Sequence, residues 1–225
     1  FIPRSKDHCF VSLDYSQMEY RVMLDYAGDM EMIKAINEGL DIHQAIANIV
    51  GISRKVAKTV NFLTLYGGGK DKLAGMLGIS TTEAGVIQAR YFEKLPKVQQ
   101  LIKNVIFSGR NRGYIWNHFG RILNLGSWDL GYILPNHLVQ GTCADIMKFA
   151  ENQIQPLLSK DCEMVGNIHD EILLEVTKEG FSVVPKIREI METVYVPRNG
   201  LHLTTSCEHS WKSWAHRDKE EGLPV

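Results

Sequence analysis

Met164-Val-Gly-Asn-Ile-His-Asp-Glu-Ile-Leu-Leu-Glu-Val176 sets two short apolar runs on either side of a polar turn, His169-Asp170-Glu171. Runs of that length and composition predict strand, turn, strand. An aspartate in such a turn is ordinary by itself, because Asp favours turns. It gains meaning from Cys9-Phe-Val-Ser-Leu13, another short apolar run, which predicts a buried strand ending at Asp14. If the two strands are neighbours, Asp14 and Asp170 meet at one end of a sheet. Two carboxylates so placed hold a pair of divalent ions about 4 Å apart, the arrangement used for in-line phosphoryl transfer.

The chain between these acids reads as mostly helical. Residues 17–36 predict helix with a break near Gly28-Asp29, and a further helix runs from Asp41 to Val50, stopped by Gly51. Ser53 is placed to cap a helix that continues through Tyr66 to the run Gly67-Gly68-Gly69. Lys70 to Leu77 reads as a short helix closed by Gly78, and Ser80-Thr-Thr-Glu83 has capping-box spacing for a helix that ends near Leu95, before Pro96. Lys97 to Ser108 predicts another helix leading into a basic turn, Arg110-Asn-Arg112-Gly113. Tyr114–Trp116 and Arg121–Leu123 predict a hairpin, and residues 139–158 a long helix with Ile146, Phe149, Ala150 and Ile154 at helical spacing. A helix over Val184–Val194 and a strand over Leu201–Cys207 complete the layout.

The 225 residues are 44% hydrophobic and 23% charged, with a mean hydropathy of -0.14, the balance of a globular protein. No apolar run approaches the roughly 18 residues of a membrane span, and the start lacks a signal-peptide core, so an intracellular location is expected. The four cysteines form no CxxC pair, which predicts thiols rather than a zinc site or a disulfide framework. Net charge is only -1, yet residues 54–121 hold 12 Lys and Arg against 3 Asp and Glu. One region thus suits phosphates while the remainder concentrates carboxylates.

Arg54, Lys58, Phe62 and Tyr66 are four residues apart and fall along one helix face. Two cations followed by two aromatics suit a triphosphate at one end and a base and sugar at the other. The alternative is an aromatic pair committed to the core.

Six segments, in order, resemble the family A DNA polymerases, which are like DNA polymerase I. Asp14-Tyr-Ser-Gln-Met-Glu19-Tyr-Arg-Val22 is similar to their motif A, Arg54 to Gly67 to motif B, and Val165 to Glu175 to motif C. Asp41-Ile-His43, Phe119-Gly-Arg121 and Val139-Gln-Gly-Thr-Cys-Ala-Asp145 also match. The resemblance implies an α+β fold: a palm with an antiparallel sheet flanked by helices (residues 1–27 and 115–225), interrupted by a mainly helical fingers subdomain (28–114).

It also implies roles by position. Asp14, Asp170 and the carbonyl of Tyr15 would bind two Mg²⁺ ions, with Mn²⁺ as a substitute, and Glu171 would stand beside them. Glu19 would close the space of a ribose 2′-hydroxyl, with Phe62 behind the sugar. His43, Arg54 and Lys58 would bind the triphosphate, Lys58 also giving a proton to the leaving pyrophosphate. Tyr66 would support the templating position, and Arg121, Asn136, Gln140 and His169 would contact the primer-template. The implied partners are primer-template DNA and a dNTP, met by a monomer or by one part of a longer polypeptide carrying thumb and exonuclease domains.

The pattern departs at Leu63, where glycine is common, and at Tyr20, where leucine is usual. Shortened segments after His43 and after Arg121 imply a compact relative of viral or organellar kind. Two rival functions stand beside DNA synthesis. A two-metal nuclease leaves Glu19 and the Arg54–Tyr66 face unexplained; a non-catalytic nucleic-acid-binding module derived from a polymerase has no need of both aspartates.

Overall fold

The computed structural model describes residues 1–216, Leu65 by its backbone alone; the last part of the expected second palm segment, 217–225, lies outside the described residues. In chain order the elements are β1 (His8–Tyr15), α1 (Met18–Ala27), α2 (Met30–Asn37), α3 (Ile42–Val50), α4 (Arg54–Leu65), α5 (Lys70–Leu77), α6 (Thr81–Lys94) and α7 (Pro96–Arg112). They continue with β2 (Tyr114–Trp116), β3 (Ile122–Asn124), α8 (Leu134–Ile154), β4 (Cys162–Ile168), β5 (Glu171–Thr177), α9 (Val184–Thr193) and β6 (Thr205–Ser210). The fold is α+β, and the chain divides into two compact units.

The first unit, Phe1–Met18, Cys143–Val196 and from His202 onward, is built on an antiparallel sheet in the order β4-β5-β1-β6. Alternation gives this sheet two chemically distinct faces. Cys9, Val11, Leu13 and Tyr15 of β1 share the apolar face with Ile172, Leu174 and Val176 of β5, and all of these are buried. The Tyr15 hydroxyl donates to the Met191 carbonyl of α9 at 2.5 Å, and Arg188 of the same helix donates to the Thr205 carbonyl of β6 at 2.7 Å. The opposite face carries Ser12, Asp14, Glu171 and Glu175, with Glu163 directly across from Glu175. Like charges facing across a ladder repel. Arg4 relieves this pair, donating to Glu175 at 2.5 Å and pairing with Glu163, whose carboxyl it holds below the ordinary range.

The second unit, Glu19–Thr142 with Pro197–Leu201, is mainly helical. Its stops and starts are local chemistry. Asp41, Ser53 and Ser80 cap α3, α4 and α6 with their side-chain oxygens, the last in a full capping box with Glu83. Gly51 and Gly78 close α3 and α5 in the left-handed region that glycine enters without a Cβ penalty. Ile115, Leu125, Leu134 and Leu138 form a buried cluster under the β2–β3 hairpin.

Four expectations are corrected. α7 runs from Pro96 to Arg112, so the basic segment is its last turn and not a loop; cations suit a helix C-terminus, and Gly113 ends the helix. α8 begins at Leu134 rather than 139, with Pro135 in its first turn, where a missing N–H costs nothing. The last strand is Thr205–Ser210, because its partners lie on β1 from Tyr15 back to Phe10, while Leu201 and Leu203 are buried without joining the ladder. Phe149 is 44% exposed, whereas Ile146, Ala150 and Ile154 are buried.

Candidate active site

In the first unit the acidic residues converge through strand register. β1 pairs with β5 so that Asp14 stands opposite Glu171. His169 and Asp170 form the two-residue turn joining β4 to β5, and the Tyr15 amide donates to the Asp170 carbonyl at 3.1 Å. Asp14 and Asp170 therefore lie at the same end of adjacent strands. His169 takes φ 59, a conformation uncommon for a residue with a side chain and worth attention where it flanks an acid.

The electrostatics differ from residue to residue. Asp14 is exposed. Glu171 is buried, its carboxylate accepting from the Ser12 hydroxyl at 2.7 Å and the Trp214 indole at 3.4 Å. Burial raises the Asp170 carboxyl above its ordinary value, and the charge of Glu171 adds to this while His169 opposes it. Burial likewise pushes the Tyr15 phenol well up, so its side chain is a neutral anchor and only its backbone faces the acids.

These donors suit a hard divalent cation. All are oxygens, and a carboxylate whose ionised form burial disfavours gains from an adjacent positive charge. Among the described residues no group of three or more His, Cys, Asp or Glu side chains could hold a metal alone. An ion that takes only one or two carboxylates and completes its shell from water and substrate phosphates, as Mg²⁺ does, fits that count.

In the second unit the α4 face is at the surface. Ala57, Val60, Asn61 and Thr64 form the buried stripe of the helix, leaving Phe62 at 38% and Tyr66 at 43% exposure. A core role for the two aromatics is thereby removed. Lys58 Nζ lies 5.9 Å from the Phe62 ring centre, and Arg54 pairs with Asp41 at 2.6 Å. Asp41 also caps α3, so one carboxylate joins the starts of two helices.

His43 is buried beside this face, its ring 6.0 Å from Phe62, and its Nδ1 lies 2.9 Å from Asn61 Nδ2. Burial lowers its pKa, as do Arg54 and Lys58 nearby, against the opposing pull of Asp41. The ring is thus neutral near pH 7. With Nδ1 committed to Asn61, Nε2 is the ring nitrogen left for a ligand. Asn61 was not among the expected site residues; an amide side chain in the buried stripe of the helix was the available signal.

Glu19, near the start of α1, accepts from Gln140 Nε2 at 3.1 Å and from the Tyr66 hydroxyl at 3.4 Å, and Gln140 also reaches that hydroxyl at 3.4 Å. The triangle joins α1, the end of α4 and α8. Asn136 lies one turn before Gln140 on α8, Arg121 is exposed just before β3, and His169 belongs to the first unit. The two departures find local explanations. The buried Tyr20 hydroxyl is 2.8 Å from that of Tyr91, and the buried Leu63 lies where a Cβ on Gly68 would overlap it. Cys9, Cys143, Cys162 and Cys207 are free thiols.

Comparison with known proteins agrees with the segment pattern. The family model for DNA polymerase family A matches residues 1–216. The thermostable DNA polymerase I of Thermus aquaticus is 34% identical over 226 residues, covering 90% of this chain and 27% of that protein. DNA polymerase I of Streptococcus pneumoniae strain R6 is 33% identical over 215 residues, covering 85% and 24%. The solved POL domain of Pol1 from M. smegmatis, in complex with DNA primer-template and dNTP, aligns with a TM-score of 0.85 at 26% identity, over 94% of this chain and 41% of that one. The chain thus spans about a quarter of the length of these curated relatives. With its motifs in order and the family match running across every described residue, the chain belongs to DNA polymerase family A.

Proposed function

We propose that the chain is the palm (residues 1–27 and 115–225) and fingers (28–114) of a DNA-directed DNA polymerase. It adds a dNMP from a dNTP to a primer 3′-hydroxyl under template direction and releases pyrophosphate. The observation that carries this reading is the β1–β5 register, which supports Asp14 and Asp170 as a pair acting at one place. Two divalent ions, Mg²⁺ with Mn²⁺ as a substitute, bound by Asp14, Asp170 and the Tyr15 carbonyl, would supply a lowered pKa at the primer hydroxyl and charge neutralisation at the pyrophosphate.

The chain's own residues do the rest. Arg54, Lys58 and the neutral His43 hold the triphosphate, and Lys58 gives a proton to the departing pyrophosphate. Glu19, fixed by Gln140 and Tyr66, fills the space of a ribose 2′-hydroxyl, while Phe62 lies behind the sugar. Tyr66 also supports the templating position. Arg121, Asn136, Gln140 and His169 contact the primer-template, and minor-groove acceptors shared by all base pairs allow that contact to be blind to sequence. Glu171 stands beside the acids, bonded to the Ser12 hydroxyl. The setting is intracellular, where dNTPs are found; among the described residues no helix is long and apolar enough to cross a membrane.

The test is extension of a labelled primer with Mg²⁺ by the chain and by its Asp170→Ala variant, with degradation of the same primer read in parallel. Extension should fall at least ~10³-fold in the variant while primer-template affinity changes little. Equal extension by the two proteins would end the assignment of Asp170. Shortening of the primer instead of lengthening would favour hydrolysis.

A further inference from the structure

The β2–β3 hairpin packs one side of itself and leaves the other uncovered. Ile115 is buried and Leu123 packs on the same cluster, whereas the cross-strand partners Trp116 and Ile122 are 46% and 55% exposed. Alternation puts Tyr114, Trp116, Ile122 and Asn124 together on the outer side. The Tyr114 and Trp116 rings meet edge to face at 4.8 Å, and the Arg112 guanidinium lies 5.4 Å from the centre of the Trp116 ring.

The chain leading through this hairpin is cationic. From Lys94 to Trp128 the chain carries Lys94, Lys97, Lys103, Arg110, Arg112 and Arg121 and no Asp or Glu. An exposed flat ring with a guanidinium over it, on a cationic stretch of chain, complements a polyanion that has planar apolar faces of its own. A single nucleic-acid strand has both. A duplex keeps its base faces inside its own stack, and a protein surface rarely offers free planar groups beside dense negative charge.

We propose that the outer face of the β2–β3 hairpin, Tyr114, Trp116 and Ile122 with Arg112 at its edge, is a stacking platform for unpaired bases of single-stranded DNA. This rests on the nucleic-acid reading above and adds to it a place for the unpaired part of the template. Trp116 stacks on a base, and Arg112, already beside that ring, reaches a neighbouring phosphate.

The test uses the full chain and the anisotropy of a labelled oligothymidylate of about 15 nucleotides, with a blunt duplex of the same length as comparison. Trp116→Ala should weaken oligothymidylate binding at least about fivefold, Trp116→Phe less than about twofold, and neither should change duplex affinity. Thermal melting of each variant identifies any loss of fold, and the Phe variant keeps the question answerable if the Ala variant melts early. Absence of oligothymidylate binding by the unmodified chain at low salt, an Ala variant that binds as the unmodified chain does, or a parallel fall in duplex affinity each overturns the proposal. A chain that binds through Trp116 yet never extends a primer sinks the polymerase reading alone. One that extends primers yet binds independently of Trp116 sinks only the platform.

Discussion

Asp14 and Glu171 face one another across the β1–β5 ladder, and their carboxylates are treated differently by the fold. Asp14 is open to solvent, whereas Glu171 accepts a hydrogen bond across the ladder from the Ser12 hydroxyl, two positions before Asp14 on β1. The bond fixes one oxygen of the Glu171 carboxylate in place. Asp170, next in the turn, carries a raised pKa because burial outweighs the relief from its backbone hydrogen bond and from His169.

That burden makes Asp170 a cost to stability at neutral pH. A carboxyl whose folded pKa exceeds its unfolded value adds stability fully present below the unfolded pKa, about 4, and lost as pH rises through the folded value. Asp170→Asn should therefore raise the melting temperature by ~1–4 °C at pH 7.5, with the gain vanishing toward pH 4, while primer extension is lost. Melting curves across that range decide the matter. A variant that melts below the unmodified chain at pH 7.5 contradicts the assignment of the strain.

Glu19 offers a second test, since its carboxylate is fixed by Gln140 and Tyr66 rather than free to swing. Glu19→Ala opens the space that a 2′-hydroxyl would occupy and should lower the preference for dNTP over NTP at least ~10-fold. Gln140→Leu, which removes the bond but leaves the carboxylate, should relax the same preference by a smaller factor. Single-nucleotide incorporation with each substrate gives both ratios, and an unchanged ratio in Glu19→Ala would remove the gate.

Much of this geometry was readable from local chemistry, and the failures have a common cause. Asp41, Ser53 and the Ser80–Glu83 box announced their helices because capping uses neighbours in sequence. The turn at His169-Asp170 was equally local. β6 was misplaced because one of its faces joins the polar side of the sheet, so Thr205–Ser210 lacks the apolar alternation that marks a half-buried strand. The start of α8 was missed because Pro135 reads as a breaker unless it stands in a first turn. The partners of His43 and Glu19, Asn61 and Gln140, come from distant elements, and no spacing rule joins them.

Phe62 carries a third expectation. Its ring is partly exposed, with the Lys58 ammonium over it, and it has no hydroxyl to stand in for a missing 3′-hydroxyl on the sugar. The chain should therefore discriminate against dideoxynucleotides, and Phe62→Tyr should raise their incorporation at least ~10-fold relative to dNTPs. Competition between the two substrates in a gel-based extension assay measures it. Equal use of both by the unmodified chain would overturn the sugar-facing role.

The exit of α4 gives the last prediction, because there the departure at Leu63 and the glycine run explain one another. Gly67 has φ +65 and a Cβ there would approach the Tyr132 carbonyl to 2.6 Å, so it is held by conformation and space together. Gly68 has an ordinary φ; its constraint is steric, since the Leu63 side chain lies where its Cβ would be. Gly68→Ala should cost ~1–3 kcal/mol by overpacking, and Leu63→Ala ~2–5 kcal/mol by leaving a cavity. If the two sites share that space, the double variant should lose less than the sum by at least ~1 kcal/mol, measured by denaturant unfolding of all four proteins. Additive losses would mean that Leu63 and Gly68 do not constrain each other, and the tight exit of the helix bearing Arg54, Lys58 and Phe62 would need another explanation.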